Sequence, residues 1–240
     1  MTDFPELPTR KCLITGSSSG IGRALVKRLL AQGWQVTGLD IKAPTEELGP
    51  NFHPIILDLL DENALRHVLE TLVPLGISAF VHCAGIMRTG RIGEALGDDV
   101  DRLWRLHVGV PITVMQQLAA RLPDRYGRVV LISSRGALGR AGRGLYAATK
   151  SGLVGLGRSW AIELIPRGIT VNIVGPGATN TPMLSDPART EKASIDLPIG
   201  RLIEPEEVAA LIAFLVSAEA GAITGQTIYI CGGGSLSVQP

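Results

Sequence analysis

The chain has 240 residues, and at about 150 residues per domain that length allows one large domain or two small ones. Hydrophobic types make up 45% and charged types 19%, with 29 glycines, the composition of a folded, glycine-rich globular chain and not of a disordered one. Basic residues number 23 against 22 acidic ones, with no long run of either sign, so a broad basic face for nucleic acid is excluded as well. The start, MTDFPELPTRKC, lacks the order of a signal peptide, and no apolar run is long enough to span a membrane. Three scattered cysteines, Cys12, Cys83 and Cys231, read as reduced core residues of a cytoplasmic protein.

Short runs rich in Val, Ile and Leu alternate with longer helical stretches. The expected strands cover 12–15, 35–39, 54–57, 79–82, 128–132, 170–174 and 227–230. Between them apolar residues recur at helical spacing, such as Ile21, Leu25 and Leu29, then Leu65, Leu69 and Leu72. Seven strands with helical crossovers predict an α/β fold: a doubly wound, seven-stranded parallel sheet, Rossmann-like, in a single domain over 1–240.

The first strand runs straight into Thr15-Gly16-Ser17-Ser18-Ser19-Gly20-Ile21-Gly22, and a helix follows. Glycines between a strand and a helix allow a tight turn and a close backbone approach to a pyrophosphate, whose charge sits at the helix N-terminus. Asp40 ends the second strand, where a carboxylate accepts from the ribose 2′-hydroxyl of NAD and repels the 2′-phosphate of NADP. Lys42 stands close enough to blur that preference. Asp58, ending the third strand, either reaches the adenine or simply opens the next loop. Gly16-Ser17-Ser18-Ser19-Gly20 also spells the hydrolase pattern G-x-S-x-G. That fold needs its histidine last, whereas His53, His67, His82 and His107 all lie in the first half of the chain.

Tyr146 and Lys150 stand four apart at the start of a helical stretch over 145–165, so they share a face. A nearby ammonium favours the phenolate and makes the tyrosine a plausible proton donor and acceptor. The fifth strand ends at Ser133-Ser134, placing hydroxyls at the carboxyl edge of the sheet, where open α/β folds bind ligands.

With these motifs in place, the sequence resembles the short-chain dehydrogenase/reductase family over nearly its whole length. The family's T-G-x-x-x-G-I-G stands at Thr15 to Gly22 and its Y-x-x-x-K at Tyr146-Ala147-Ala148-Thr149-Lys150. The resemblance implies that Tyr146 is the catalytic acid-base and that Lys150 lowers its pKa and holds the nicotinamide ribose. Ser134 takes the catalytic serine, with Ser133 as the fallback, since Ser133 lies 13 residues before Tyr146 and Ser134 lies 12. The implied cofactor contacts are Gly16, Ser18, Gly20, Ile21 and Gly22 in the first loop, then Asp40 and Asp58. Ala84 and Gly85 follow strand four, and Tyr146 and Lys150 add to the same set. The turn Pro176-Gly177-Ala178-Thr179-Asn180-Thr181 completes it, through Pro176, Gly177, Thr179 and Thr181, the last against the nicotinamide carboxamide.

Two positions depart from the family pattern: Cys83 stands where N-A-G has its asparagine, and His107 stands at the catalytic asparagine. Pro111 has no N–H for the carbonyl of residue 107, so the helix is expected to kink there. The expected activity is an NAD(H)-dependent interconversion of a secondary alcohol and a ketone, with NAD preferred to NADP and no metal. The alternative is a dinucleotide-binding regulator with impaired catalysis. The substrate is a small molecule, and five arginines after strands four and five (Arg88, Arg91, Arg135, Arg140 and Arg143) hint at an anionic one. The segment over 184–198 is expected to close over the pocket. Family resemblance also implies a homotetramer or homodimer.

Overall fold

A computed structural model describes residues 9–94, 97–185 and 197–236. Its strands are β1 (Lys11–Thr15), β2 (Gln35–Asp40), β3 (Phe52–Ile56), β4 (Ala79–His82), β5 (Arg128–Ile132), β6 (Thr170–Pro176) and β7 (Thr227–Ile230). They form one parallel seven-stranded sheet in the order β3-β2-β1-β4-β5-β6-β7. The expected architecture is therefore the observed one. β4, β5 and β7 match their expected bounds, while β3 begins two residues earlier, at Phe52. β3 is a sheet edge, where Pro54 is tolerated inside a strand. β6 runs on to Pro176 because Gly175 and Pro176 still pair with Tyr229 and Ile230.

The helices are α1 (Gly20–Ala31), α2 (Glu62–Leu72), α3 (Asp99–Trp104), α4 (Val110–Leu118), α5 (Gly144–Leu164) and α6 (Pro205–Leu215). Alternation along each strand sends side chains to two faces. Leu13, Leu39, Phe80, Val129, Leu131 and Val171 pack with α2, α4 and α5. Ile14, Val36, Val81, Val130, Ile132 and Val174 pack with α1 and α6 on the opposite face. Both faces are covered, which is why the strands read as near-continuous apolar runs. None of the helices among the described residues is long and apolar enough to cross a membrane.

The order reverses between β1 and β4: the chain winds outward from β1 to β3, then returns to β4 on β1's other side. Loops leaving neighbouring strands in opposite directions open a crevice at their carboxyl ends, so the fold puts its ligand site there.

The run from α3 to α4 is broken by a π-helical turn over Arg105–Gly109, in which the Val110 N–H bonds to the Arg105 carbonyl. Pro111 follows in the first turn of α4. The expected interruption is present, as a π turn: a proline without an N–H cannot carry the α ladder back to residue 107. The turn is held against α5 by Trp104, whose ring packs over Gly152 so closely that a Cβ there would lie 3.2 Å from it.

Candidate active site

A cleft of about 860 Å³ opens at the carboxyl edge of the sheet, over the point where the strand order reverses. Its floor depends on glycine. Gly16 has φ of +72°, and a Cβ on it would come 2.7 Å from the Ala84 nitrogen, so the loops after β1 and β4 touch through bare backbone. Gly22 is closer still, its Cβ position lying 1.9 Å from the Gly16 carbonyl oxygen, which brings α1 hard against the first loop.

The residues present fit a dinucleotide. α1 starts at Gly20 with Ser19 as N-cap, no side chain caps its first amides, and its first turn holds no acidic residue. Unpaired N–H groups at a helix N-terminus therefore face the cleft, the arrangement that takes a pyrophosphate. Gly16, Gly20, Ile21, Gly22, Ala84 and Gly85 line this part of the cleft as expected. Ser18 does not. It is buried behind the loop, its N–H donating to Asp40 Oδ2 at 2.9 Å and its hydroxyl donating to the Lys42 carbonyl at 2.7 Å. Ser19 takes the place at the cleft expected of Ser18. A run of three serines offers no sequence signal to tell which one turns outward.

Asp40 and Asp58 both line the cleft. The Asp40 carboxylate is held at both oxygens, since Oδ1 also accepts the Lys42 N–H at 2.9 Å. Asp58 Oδ1 accepts the Leu60 N–H at 2.9 Å, so it opens the next loop and borders the cleft as well. Pro176, Gly177, Thr179 and Thr181 line the opposite wall, with the Thr181 methyl 3.0 Å from where a Cβ on Gly20 would be.

Strand β5 and helix α5 bring the remaining groups together. Ser133 is buried, its hydroxyl donating to the Lys150 carbonyl at 2.7 Å, so it ties β5 to α5. Ser133 and Ser134 both border the cleft, but Ser134 Oγ accepts the Gly136 N–H at 2.9 Å, so its bond to the fold does not use the hydroxyl hydrogen. A Cβ on Gly136 would lie 3.1 Å from Ser134 Oγ and 3.4 Å from the Tyr146 ring, so both residues close on the same bare backbone position. Lys150 Nζ donates to the Ile132 carbonyl at 2.8 Å and lies 5.9 Å from the centre of the Tyr146 ring. Burial brings the Lys150 ammonium down to about 8, with Cys83 opposing the shift. The Cys83 thiol is itself pushed up to about 12 by burial.

His107 is not in the cleft. It lies wholly buried beneath it, with Nε2 accepting the Ile86 N–H at 3.1 Å and Nδ1 2.8 Å from Thr149 Oγ1. Its ring stands edge-on to Tyr146, at 5.7 Å between centres. Burial first, then the Lys150 charge and His82, hold its pKa well below the usual histidine range. His82 is brought to about 3, again by burial and Lys150. Two buried neutral histidines thus lie beside the buried ammonium.

Of the arginines, Arg135, Arg140 and Arg143 line the cleft, while Arg88 lies outside it and pairs with Asp99 at 3.1 Å. Arg91 also lies outside it, and Arg102, which sequence reasoning passed over on its helix, joins the lining. Arg135 Nε donates to the Gly234 carbonyl, anchoring the chain after β7 beside Ser134. Of the segment expected to close over the pocket, 186–196 lies outside the described residues; Leu184, Leu197 and Pro198 line the cleft. No cluster of metal ligands occurs among the described residues.

A family model described as Enoyl-(Acyl carrier protein) reductase matches residues 16–235. The chain is 35% identical over 232 residues to the 3-oxoacyl-[acyl-carrier-protein] reductase FabG of Salmonella typhimurium, covering 92% of this chain and 95% of that protein. Among solved structures it resembles the aldohexose dehydrogenase of Thermoplasma acidophilum, with a TM-score of 0.87, 28% identity and coverage of 98% and 97% of the two chains. It also resembles a blue fluorescent protein from a metagenomic library in complex with NADPH, with a TM-score of 0.86, 31% identity and coverage of 97% and 100%. The chain belongs to the short-chain dehydrogenase/reductase family and is an oxidoreductase that uses a nucleotide cofactor.

Lys150 carries its charge below about pH 8 and loses it as the pH rises through that value. Ketone reduction that depends on this ammonium is expected to fall over the same range, read as kcat/KM against pH at saturating cofactor. A profile flat from about pH 7 to pH 10 would overturn the dependence.

Proposed function

We propose that this protein interconverts a secondary alcohol and a ketone with NAD(H), using Tyr146 as acid-base. The observation that carries the reading is the meeting of Tyr146, Ser134 and Lys150 at one end of a cleft whose other end fits a dinucleotide. In the oxidative direction the Tyr146 phenolate takes the hydroxyl proton as the carbon–hydrogen bond gives up its hydride. In reduction the Tyr146 hydroxyl returns that proton to the carbonyl oxygen. A bound nicotinamide would accept or supply the hydride. Ser134 donates a hydrogen bond to the substrate oxygen, where negative charge develops. Lys150 favours the phenolate by its positive charge. The alternative, a dinucleotide-binding regulator without catalysis, stands on Cys83 and His107 alone, and neither residue displaces a group that meets the substrate in this mechanism.

NAD is the cofactor proposed because Asp40 is fixed. A carboxylate held through both oxygens by the Ser18 and Lys42 amides cannot swing away from a 2′-phosphate. The NADPH in the metagenomic neighbour belongs to that protein.

The substrate proposed is anionic. Arg102, Arg135, Arg140 and Arg143 line the cleft together with Lys150. Of its acidic lining residues among those described, Asp40 ends β2 and Asp58 follows β3. Guanidinium groups bind carboxylates in bidentate fashion. A panel of oxo acids, 3-oxoacyl thioesters and neutral ketones, followed at the NADH absorbance, tests the reading. Oxo acids are expected to turn over faster than their neutral analogues, by a margin that shrinks with salt, and equal rates would remove the anionic assignment.

Tyr146→Phe keeps the ring and removes the hydroxyl that exchanges the proton. It is expected to lower kcat by about 10³ while cofactor affinity, measured by fluorescence titration, stays nearly unchanged. Retention of about a tenth of the activity would refute the role.

A like-charge clash worth at least about 1.4 kcal/mol corresponds to a preference of roughly tenfold for NAD over NADP in kcat/KM. Asp40→Ser is expected to narrow that ratio and, by releasing the Ser18 and Lys42 amides, to weaken both cofactors. A wild-type enzyme faster with NADP would show the ribose assignment to be wrong.

A further inference from the structure

We infer that Thr149 is a positioning residue of the reaction, joined through the His107 side chain to the loop that follows β4. The inference rests on the proposed acid-base role of Tyr146.

Three bonds carry it. The Ile86 N–H donates to His107 Nε2 at 3.1 Å, so that nitrogen is an acceptor and bears no hydrogen. A neutral imidazole then carries its proton on Nδ1, which stands 2.8 Å from Thr149 Oγ1 and must be the donor. Thr149 Oγ1 in turn donates its own hydrogen to the Tyr146 carbonyl at 3.0 Å. The hydroxyl hydrogen being spent there, its oxygen accepts from His107, and both ends of the chain demand the same tautomer. Its two side chains are buried: His107 and Thr149 are both 0% exposed.

The chain has a direction and a purpose in the fold. It starts on a loop that lines the cofactor end of the cleft through Ala84, Gly85 and Ile86, crosses the π turn, and ends on the first turn of α5 at Tyr146 itself. Gly85 allows the passage, because a Cβ there would lie 3.1 Å from His107 Nε2 and 3.4 Å from Lys150 Nζ. The groups facing the imidazole are Lys150, His82 and the Tyr146 ring, and the Lys150 charge opposes any second positive charge beside it. The imidazole therefore stays neutral and cannot reverse its donor and acceptor without leaving the Ile86 N–H unmet. Hydrogen bonds behind a catalytic group hold it within the small tolerance that proton transfer needs. Thr149 supplies the acceptor that completes this linkage.

Two measurements test it. In wild-type protein, imidazole nitrogen shifts by NMR are expected to show His107 protonated on Nδ1, bare on Nε2, and not titrating between about pH 5 and pH 9. Protonation on Nε2, or titration in that range, would overturn the linkage, and neither reading depends on turnover. In kinetics, Thr149→Val is expected to lower kcat about tenfold with cofactor affinity within about twofold, and Thr149→Ser to restore most of it. In a His107→Asn background, where the shorter side chain cannot bridge, Thr149→Val is expected to cost less than about threefold. A kcat within about twofold of wild type for Thr149→Val, or an equal cost in both backgrounds, would overturn the positioning role. If no substrate in the panel is turned over while the NMR result holds, it is the proposed acid-base function that fails.

Discussion

Lys150 borders the cleft with its side chain buried and its ammonium bonded to the Ile132 carbonyl, and the groups sharing its space have to be compatible with that charge. Desolvation already brings the amine down to about 8. A second cation beside it would be costlier, and His82 and His107 both stay neutral. A neutral histidine must choose one nitrogen as donor and one as acceptor, and the Ile86 N–H, by taking Nε2, makes that choice for His107. Burial, reinforced by the Lys150 charge, keeps the ring neutral, and the ring then joins the loop after β4 to the first turn of α5.

That charge is useful only because the backbone brings it to the right place. β5 ends at Ile132 beside Lys150, the Ser133 hydroxyl is spent clamping β5 to α5, and Ser134 at the cleft keeps its hydroxyl hydrogen for another partner. On the other side of the cleft the same economy holds: Gly16 and Gly22 remove side chains where loops and helix must touch, and Asp40 pins the loop between them. The two halves of the sheet wind away from β1 and β4, and the cleft is the gap their loops leave.

His107 and Cys83 replace residues that the family pattern has as asparagine, and the structure gives them different standing. His107 meets two hydrogen-bonding partners and stands edge-on to Tyr146, so it is integrated into the support of the site. Cys83 lines the cleft as a thiol that burial keeps protonated, adding no charge beside the ammonium.

The alternation of apolar runs and helical spacing already showed the doubly wound sheet, because both faces of a parallel sheet must be apolar wherever its strands run. The glycine loop and the tyrosine and lysine four apart were legible for the same local reason: each is a constraint on neighbouring backbone or one helix face. Ser18 against Ser19, and Ser133 against Ser134, were not legible, since adjacent identical residues differ only in which partner each finds across the fold. Pro111 announced an interrupted helix, yet that the interruption is a π turn presenting His107 to Ile86 and Thr149 depends on α5 and the β4 loop lying on either side. The sequence by itself determined the sheet, the glycine loop between β1 and α1 and the placing of Tyr146 and Lys150 on one helix face, all set by short-range geometry. Only the tertiary structure decided which serine of each pair spends its hydroxyl on the fold, which arginines line the cleft and what His107 holds together, because those outcomes depend on contacts between segments far apart in the chain.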